Sequence, residues 1–250
     1  MARYDLSDEA WALFQPLLPT EPVTPRAGRP WAEHRMIING KFWVLCSGAP
    51  WRNLPERYGP WKTVYNRLNR WSKSGVINII FNRLLTLLDA NSFIDWSATA
   101  LDGSNIRALR CAAGAQKKDP DIAGDNGLGR SRGGFGIKIH LATDGSRLPL
   151  NIVLSPGQAH ESQFTRRGHA VLADKIYSGH ALRNELKNKG IKTVIPRKSN
   201  EKMASDGRSQ LDRDTYLNRN VVERCFGRLK EYRRIATRYD KTARNYLAMV

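Results

Sequence analysis

The feature that most restricts the fold of this chain is a change of hydrophobic period near residue 97. Before it, apolar residues recur every three to four positions, the period of a helix packed on one side. Ser7 followed by Asp8 and Glu9 has the form of a helix N-cap with acids in the first turn. Behind it Ala10, Leu13, Phe14, Leu17 and Leu18 share a face until Pro19 ends the run. A second helix is predicted over 31–46 with Gly48 as its stop, a third over 61–71 and a fourth over 77–88. In the third, Trp61, Val64, Leu68 and Trp71 form the apolar stripe, and Lys62, Asn66, Arg67, Asn69 and Arg70 are read as the opposite, polar face. Two readings fit this region: a helix-turn-helix-like DNA-binding module, with Lys62, Arg67 and Arg70 as candidate contacts, or a helical domain whose cations are merely solvated.

After residue 97 the apolar runs shorten and become rich in β-branched residues. They lie at 98–101, 135–142, 148–154, 170–173 and 193–195, separated by Asp102-Gly103, Asp144-Gly145, Pro156-Gly157 and Lys189-Gly190. The second and third runs flank Thr143-Asp144-Gly145-Ser146, a hairpin turn signal. A helix over 182–189 joins the last two runs, and the polar, Gly-rich stretch 116–133 is read as a loop. The expected architecture is α/β: a small all-α domain over 1–92, then a mixed five-stranded sheet with helices over 93–250.

With 41 Lys+Arg against 23 Asp+Glu and a net charge of +18, the simplest partner is a polyanion, and nucleic acid comes first. No stretch approaches the length of an apolar membrane span, and MARYDLSDEAW carries no apolar signal region. Cys46, Cys111 and Cys225 are odd in number and scattered, which argues against a disulfide framework or a CxxC zinc site. The chain reads as cytoplasmic, with free thiols.

Three carboxylates stand out by context. Asp102 follows the first short strand and Asp174 the fourth, the strand ends where α/β sheets place ligands, although Asp is equally a common turn residue. Glu223 lies in a segment predicted to be one long basic helix. At 100° per residue, Tyr216, Arg219, Glu223 and Lys230 fall within roughly 60° of arc, beside an apolar stripe of Val222, Cys225, Phe226 and Leu229. A carboxylate among cations suits a surface ion pair and equally a metal-binding acid flanked by phosphate-holding side chains. Three carboxylates on separate elements suit two Mg²⁺ ions, and two metals stabilise both oxygens of an in-line phosphoryl transfer. His140 and His160 are read as core or turn residues rather than ligands, and Gly129 to Gly134 as a DNA-contacting loop or a linker.

Leu101-Asp102-Gly103-Ser104, Ala173-Asp174-Lys175 and Tyr216-x2-Arg219-x3-Glu223-x6-Lys230 resemble the DDE transposases of bacterial insertion sequences. The last of these matches that family's Y-R-E-K signature. Further ordered matches are Lys138-Ile-His140, Gly157-Gln-Ala-His160, Val194-Ile-Pro-Arg-Lys-Ser-Asn200, Trp51-Arg-Asn-Leu-Pro55 and Gly59-Pro-Trp-Lys-Thr-Val-Tyr65. They place the chain closest to the insertion-sequence-five family. The resemblance implies an RNase H-like fold and a metal-dependent reaction in which activated water nicks the element's end and the freed 3′-hydroxyl attacks target DNA. It implies catalytic, metal-binding roles for Asp102, Asp174 and Glu223, with Asp102 bridging two Mg²⁺ ions (Mn²⁺ able to substitute). It implies DNA contacts by Tyr216, Arg219 and Lys230, joined by Arg224, Arg228, Arg233 and Arg234. The partner is double-stranded DNA, both element ends and target, bound by a dimer or higher oligomer in the bacterial cytoplasm.

Three features depart from the family pattern. Ile176-Tyr177-Ser178 stands where Gly-Tyr-Asp is usual, the stretch from His160 to Asp174 is short, and Tyr246-Leu-Ala-Met-Val250 reads as the start of a helix cut off early. They set an alternative expectation, a catalytically impaired remnant that acts only as a DNA-binding protein.

Overall fold

The computed structural model describes residues 3–20, 31–113, 127–131, 134–156, 168–197 and 211–250. The helices of the first region follow the sequence pattern. In α1 (Asp8–Phe14) the Ser7 side chain accepts from the Ala10 N–H, as its N-cap role requires. Helix α2 (His34–Ser47) begins three residues later than expected and ends at Gly48, whose φ of 71° is the left-handed conformation that glycine adopts cheaply. A Cβ at Gly48 would also lie 2.7 Å from the Cβ of Arg233, so glycine lets this helix end approach the C-terminal part of the chain. Helices α3 (Trp61–Lys73) and α4 (Val76–Ala90) complete the region.

The sheet region opens with β1 (Thr99–Ala108), much longer than the run that announced it. After α5 (Arg110–Ala113) come β2 (Gly129–Ser131), β3 (Gly134–Thr143), β4 (Pro149–Pro156), β5 (Ala170–Ala173), α6 (His180–Asn188) and β6 (Lys192–Val194). The order across the sheet is β2-β3-β1-β5-β6, with β4 also on β3 and a two-residue β7 (Thr237–Arg238) also on β1. Strands β1, β3 and β4 form an antiparallel meander, whereas β5 and β6 run parallel to β1. The expected hairpin turn is present. Asp144 is fully buried there, and its carboxylate accepts from the backbone N–H groups of Ser146, Leu148 and Asp95.

The single basic helix expected across 216–230 is two helices, α7 (Arg213–Leu217) and α8 (Asn220–Glu231), separated by Asn218 and Arg219. Asp212 starts α7 separately by accepting from the Thr215 N–H. Asn218 and Asn220 bracket the break, where an amide side chain competes with helical backbone bonding. Helices α9 (Arg233–Ala236) and α10 (Ala243–Leu247) follow.

Strand alternation sends residues to two layers. Ala100, Ile106, Leu172, Ile139 and Leu141 pack with Val222, Cys225 and Phe226 of α8, in one core that continues into Ile37, Val44, Val64 and Leu68 of the first helices. Leu101, Ala142, Val171 and Ala173 point the other way and meet Leu182 and Leu186 of α6. Among the described residues no helix is long and apolar enough to cross a membrane, and all three cysteines are free. Burial pushes the Cys225 thiol up to about 11, as befits a core position.

Candidate active site

The geometry of the two aspartates follows from register. Parallel pairing sets Ala100 opposite Leu172 and Leu101 opposite Ala173. The next residues, Asp102 within β1 and Asp174 just past the end of β5, therefore sit at one level; the strand end and turn expected at Asp102-Gly103 are absent, because β1 continues to Ala108 in antiparallel register with β3. Both aspartates share the phase of Ala100 and Leu172, on the side where α8 packs. Backbone donors hold both: the Gly103 N–H lies 2.8 Å from Asp102 Oδ1, and the Ile176 N–H lies 2.8 Å from Asp174 Oδ1. Ile176 sits in a 3₁₀ turn over Lys175–Tyr177, and among the described residues it is not one of those with positive φ. The departure at this position thus leaves Asp174 well placed.

Above the aspartates, α8 brings Glu223 and Lys230, and the α7–α8 break brings Arg219. The Arg219 guanidinium spans two acids, with Nη2 2.5 Å from Glu223 Oε1 and Nη1 3.9 Å from Asp102 Oδ2. It also lies over the Tyr216 ring at 5.8 Å. Lys230 Nζ donates to Ser104 Oγ at 2.6 Å, two residues along β1 from Asp102. Despite the helix break, the four residues expected on one line still gather over one strand.

Burial raises the Asp102 pKa above the ordinary carboxylate value. The Gly103 N–H and Arg219 oppose this, and the nearby Asp174 and Glu223 charges add to it. Burial disfavours the charged Arg219, but Glu223 and Asp102 more than offset it and hold its pKa above normal. Lys138, on β3, has its pKa lowered by burial against the opposing pull of Asp102 and Asp174. Tyr177 is 3% exposed, its hydroxyl has no hydrogen-bond partner among the described residues, and burial first, then the Asp102 and Asp174 charges, raise its pKa.

Tyr177 and Lys138 belong to the electrostatic surroundings of the aspartates, and sequence reasoning assigned a role to neither. A charge inside the apolar run 135–142 was the available signal for Lys138. Tyr177 is the tyrosine of the Gly-Tyr-Asp that the resemblance sets after Asp174-Lys175, and that match was its signal.

Two expected DNA contacts are buried instead. Arg67 is 4% exposed, donates to His34 Nδ1 at 3.1 Å and lies 4.1 Å from the centre of the Trp31 ring. Arg234 is 4% exposed, donates to the Ala49 carbonyl and pairs with Asp240 at 3.5 Å. Lys62, Arg70, Arg224, Arg228 and Arg233 are exposed. His140 is a core residue at 3% exposure, bonded to Ser155 at 2.6 Å. Of the glycine-rich stretch, Gly129–Ser131 is a strand paired with β3. His160 and most of 116–133 and of the short stretch before Asp174 lie outside the described residues.

The donor set is three carboxylates, the hard oxygen ligands that Mg²⁺ favours. As they stand, no three His, Cys, Asp or Glu side chains among the described residues lie close enough to share one ion. A cavity of about 780 Å³ lies elsewhere, between α2, α4 and β4, and none of the three acids lines it.

A mixed sheet of this order, with one aspartate within its central strand, a second just past the adjacent parallel strand and a glutamate-bearing helix packed on that side, defines the RNase H-like class. The chain belongs to the transposase DDE-domain family, whose model matches residues 96–250. A second model, described as "Putative transposase of IS4/5 family", matches residues 6–81. Relatives include the "Insertion element IS402 uncharacterized 16.2 kDa protein" of Burkholderia cepacia, 38% identical over half of this chain and 87% of its own length. Another is the "Putative transposase for insertion sequence element IS6501" of Brucella ovis, 31% identical over 45% of this chain and 90% of its own length. No solved structure matches the chain significantly.

Proposed function

We propose that this transposase binds the terminal inverted repeats of an insertion sequence and catalyses metal-dependent strand cleavage and strand transfer by in-line phosphoryl transfer. The observation that carries the reading is the register-paired Asp102 and Asp174 facing Glu223 and Arg219 of the α7–α8 segment. In this reading Asp102, Asp174 and Glu223 hold Mg²⁺, with Mn²⁺ able to substitute. The ions would supply an activated water and neutralise charge developing on the scissile phosphate. Tyr216, Arg219 and Lys230 contact the element's end, and Arg224, Arg228 and Arg233 hold flanking phosphates. Arg67 and Arg234 are left out of this set by their burial. Residues 1–92 act as the DNA-binding unit, with Lys62 and Arg70 as contacts, and 93–250 as the catalytic unit. Two element ends require a dimer or higher assembly on DNA.

The test uses labelled duplex carrying the element's ends, in Mg²⁺ and in EDTA, with Glu223→Ala at equal occupancy. Nicking in Mg²⁺ that falls by roughly 10³-fold or more in Glu223→Ala is the expected result, since losing a metal ligand removes several kcal/mol of transition-state stabilisation. Tight binding without cleavage in Mg²⁺ or Mn²⁺ overturns the enzymatic reading. It favours the second one, a DNA-binding remnant, to which the spacing of the three acids, too wide for one shared ion, lends support.

A further inference from the structure

Two of the three acids are set by backbone. Asp102 and Asp174 each accept from a nearby backbone N–H, so their carboxylates are oriented by the backbone of β1 and of the turn after β5. Glu223 is different. It projects from a helix surface with its side chain 51% exposed, and its carboxylate is taken up by Arg219. Arg219 is the less exposed partner, 20% exposed at the junction of α7 and α8 and set against the Tyr216 ring. One guanidinium thus reaches Glu223 with one nitrogen and Asp102 with another.

We propose that Arg219 is an internal latch: it holds Glu223 off the Asp102–Asp174 pair until a DNA phosphate takes the guanidinium, which releases Glu223 to join the two aspartates. The inference deepens the functional reading above and rests on it. A partly buried Asp102 beside Asp174, with Glu223 near, favours a cation among them, and in the absence of DNA Arg219 supplies that charge. A phosphodiester offers the guanidinium the same fork geometry as a carboxylate, so DNA competes directly with Glu223 for it. When DNA wins, the acids lose their internal cation and their demand for an external one rises. By linkage, DNA and divalent metal then raise each other's affinity by the same factor. The latch keeps the acidic site unassembled away from DNA.

The first test needs no metal. Affinity of the full chain for a duplex carrying the element's end is measured in EDTA for wild type, Glu223→Gln, Arg219→Gln and the double variant. Opening the latch by Glu223→Gln tightens DNA binding about tenfold when Arg219 is present and less than about twofold when it is Gln, a coupling of ordinary size. Equal gains in both backgrounds overturn the latch, because they show only the loss of one negative charge. Glu223 is exposed, so its variant folds, and thermal unfolding of all four proteins checks the others.

The second test measures Mn²⁺ binding to the DNA-free protein. Arg219→Gln gains affinity about tenfold, and Glu223→Gln added to it removes the gain. No gain in Arg219→Gln overturns the latch. If wild type still nicks element ends in Mg²⁺, the functional reading survives that loss. If nothing binds Mn²⁺ and nothing is cleaved, both fall.

Discussion

Helices α3 and α8 look alike in sequence and behave differently in the fold. Both are amphipathic, both carry aromatic and aliphatic residues at helical spacing, and both bear several cations. On α8 the arginines point outward, and Arg224 and Arg228 are exposed beside Glu223. On α3 the middle cation points inward. Val64, Arg67, Leu68 and Trp71 are the buried residues of that helix, spaced 3, 1 and 3, which is the regular core phase of an α-helix. Arg67 was in the stripe all along. Its charge argued for the surface while its position argued for the core, and the position decided. What reconciles the two is chemistry: the guanidinium lies against the Trp31 and Trp71 rings and donates to His34 Nδ1. A carbonyl can only accept, so His34 Nε2 carries the proton that meets the Pro19 carbonyl at 2.9 Å, which leaves Nδ1 free to accept from Arg67.

The largest expected effect breaks this contrast at its inward member. Arg67→Ala removes a packed side chain from between two indoles and leaves His34 short of a donor, at a cost of about 3–5 kcal/mol. Arg70→Ala, one residue outside the stripe, stays within about 0.5 kcal/mol. Urea unfolding of the full chain measures both. Equal effects would mean that Arg67 is solvated after all.

His140 extends the comparison to the sheet. Burial, with Lys138 assisting, drops its pKa from 6.5 to about 4. The folded value lies below the unfolded one, so between those pH values the unfolded chain holds the extra proton. The folded state thus loses stability as pH falls from about 6.5 toward 4, by roughly 3 kcal/mol in all. Stability measured against pH shows this loss in wild type and a flatter curve over the same window in His140→Gln.

How much was legible in advance divides along the same line. Period and turn chemistry placed the first four helices, five strand runs and the hairpin, because local pattern and tertiary burial agree there. The end of β5 before Asp174 was also legible, but the end of β1 was not: pairing with β3 carries that strand through Asp102-Gly103 to Ala108, where a turn was expected. What was not legible is long-range. The break at Asn218–Arg219 depends on Asp212 capping a separate turn. Arg234 sits on a four-residue helix too short to show a period, and its burial rests on distant partners, the Ala49 carbonyl, Asp240 and the Tyr239 ring. Tyr177 matches the family's Gly-Tyr-Asp, but nothing in the sequence showed its burial beside the aspartates.

The outward arginines of α8 supply a smaller, different effect. Arg224→Ala and Arg228→Ala leave unfolding unchanged within about 0.5 kcal/mol. Each lowers the slope of log affinity against log salt by about one, the signature of one lost phosphate contact. A loss of stability in either variant would erase the distinction between the two helices.

The smallest effect tests how firmly α8 is aimed at β1. Lys230 reaches Ser104 Oγ at 2.6 Å, but the contact is exposed, and exposed polar contacts contribute little. Ser104→Ala therefore changes stability by less than about 0.5 kcal/mol. If the apolar stripe of α8 alone orients the helix, DNA affinity in this variant stays within about twofold of wild type, while Lys230→Ala lowers the salt slope by about one. If instead the Lys230–Ser104 bond does the aiming, the two variants lose DNA affinity together. That outcome would assign the alignment of the Y-R-E-K residues over β1 to a side-chain hydrogen bond rather than to the packing of Val222, Cys225 and Phe226.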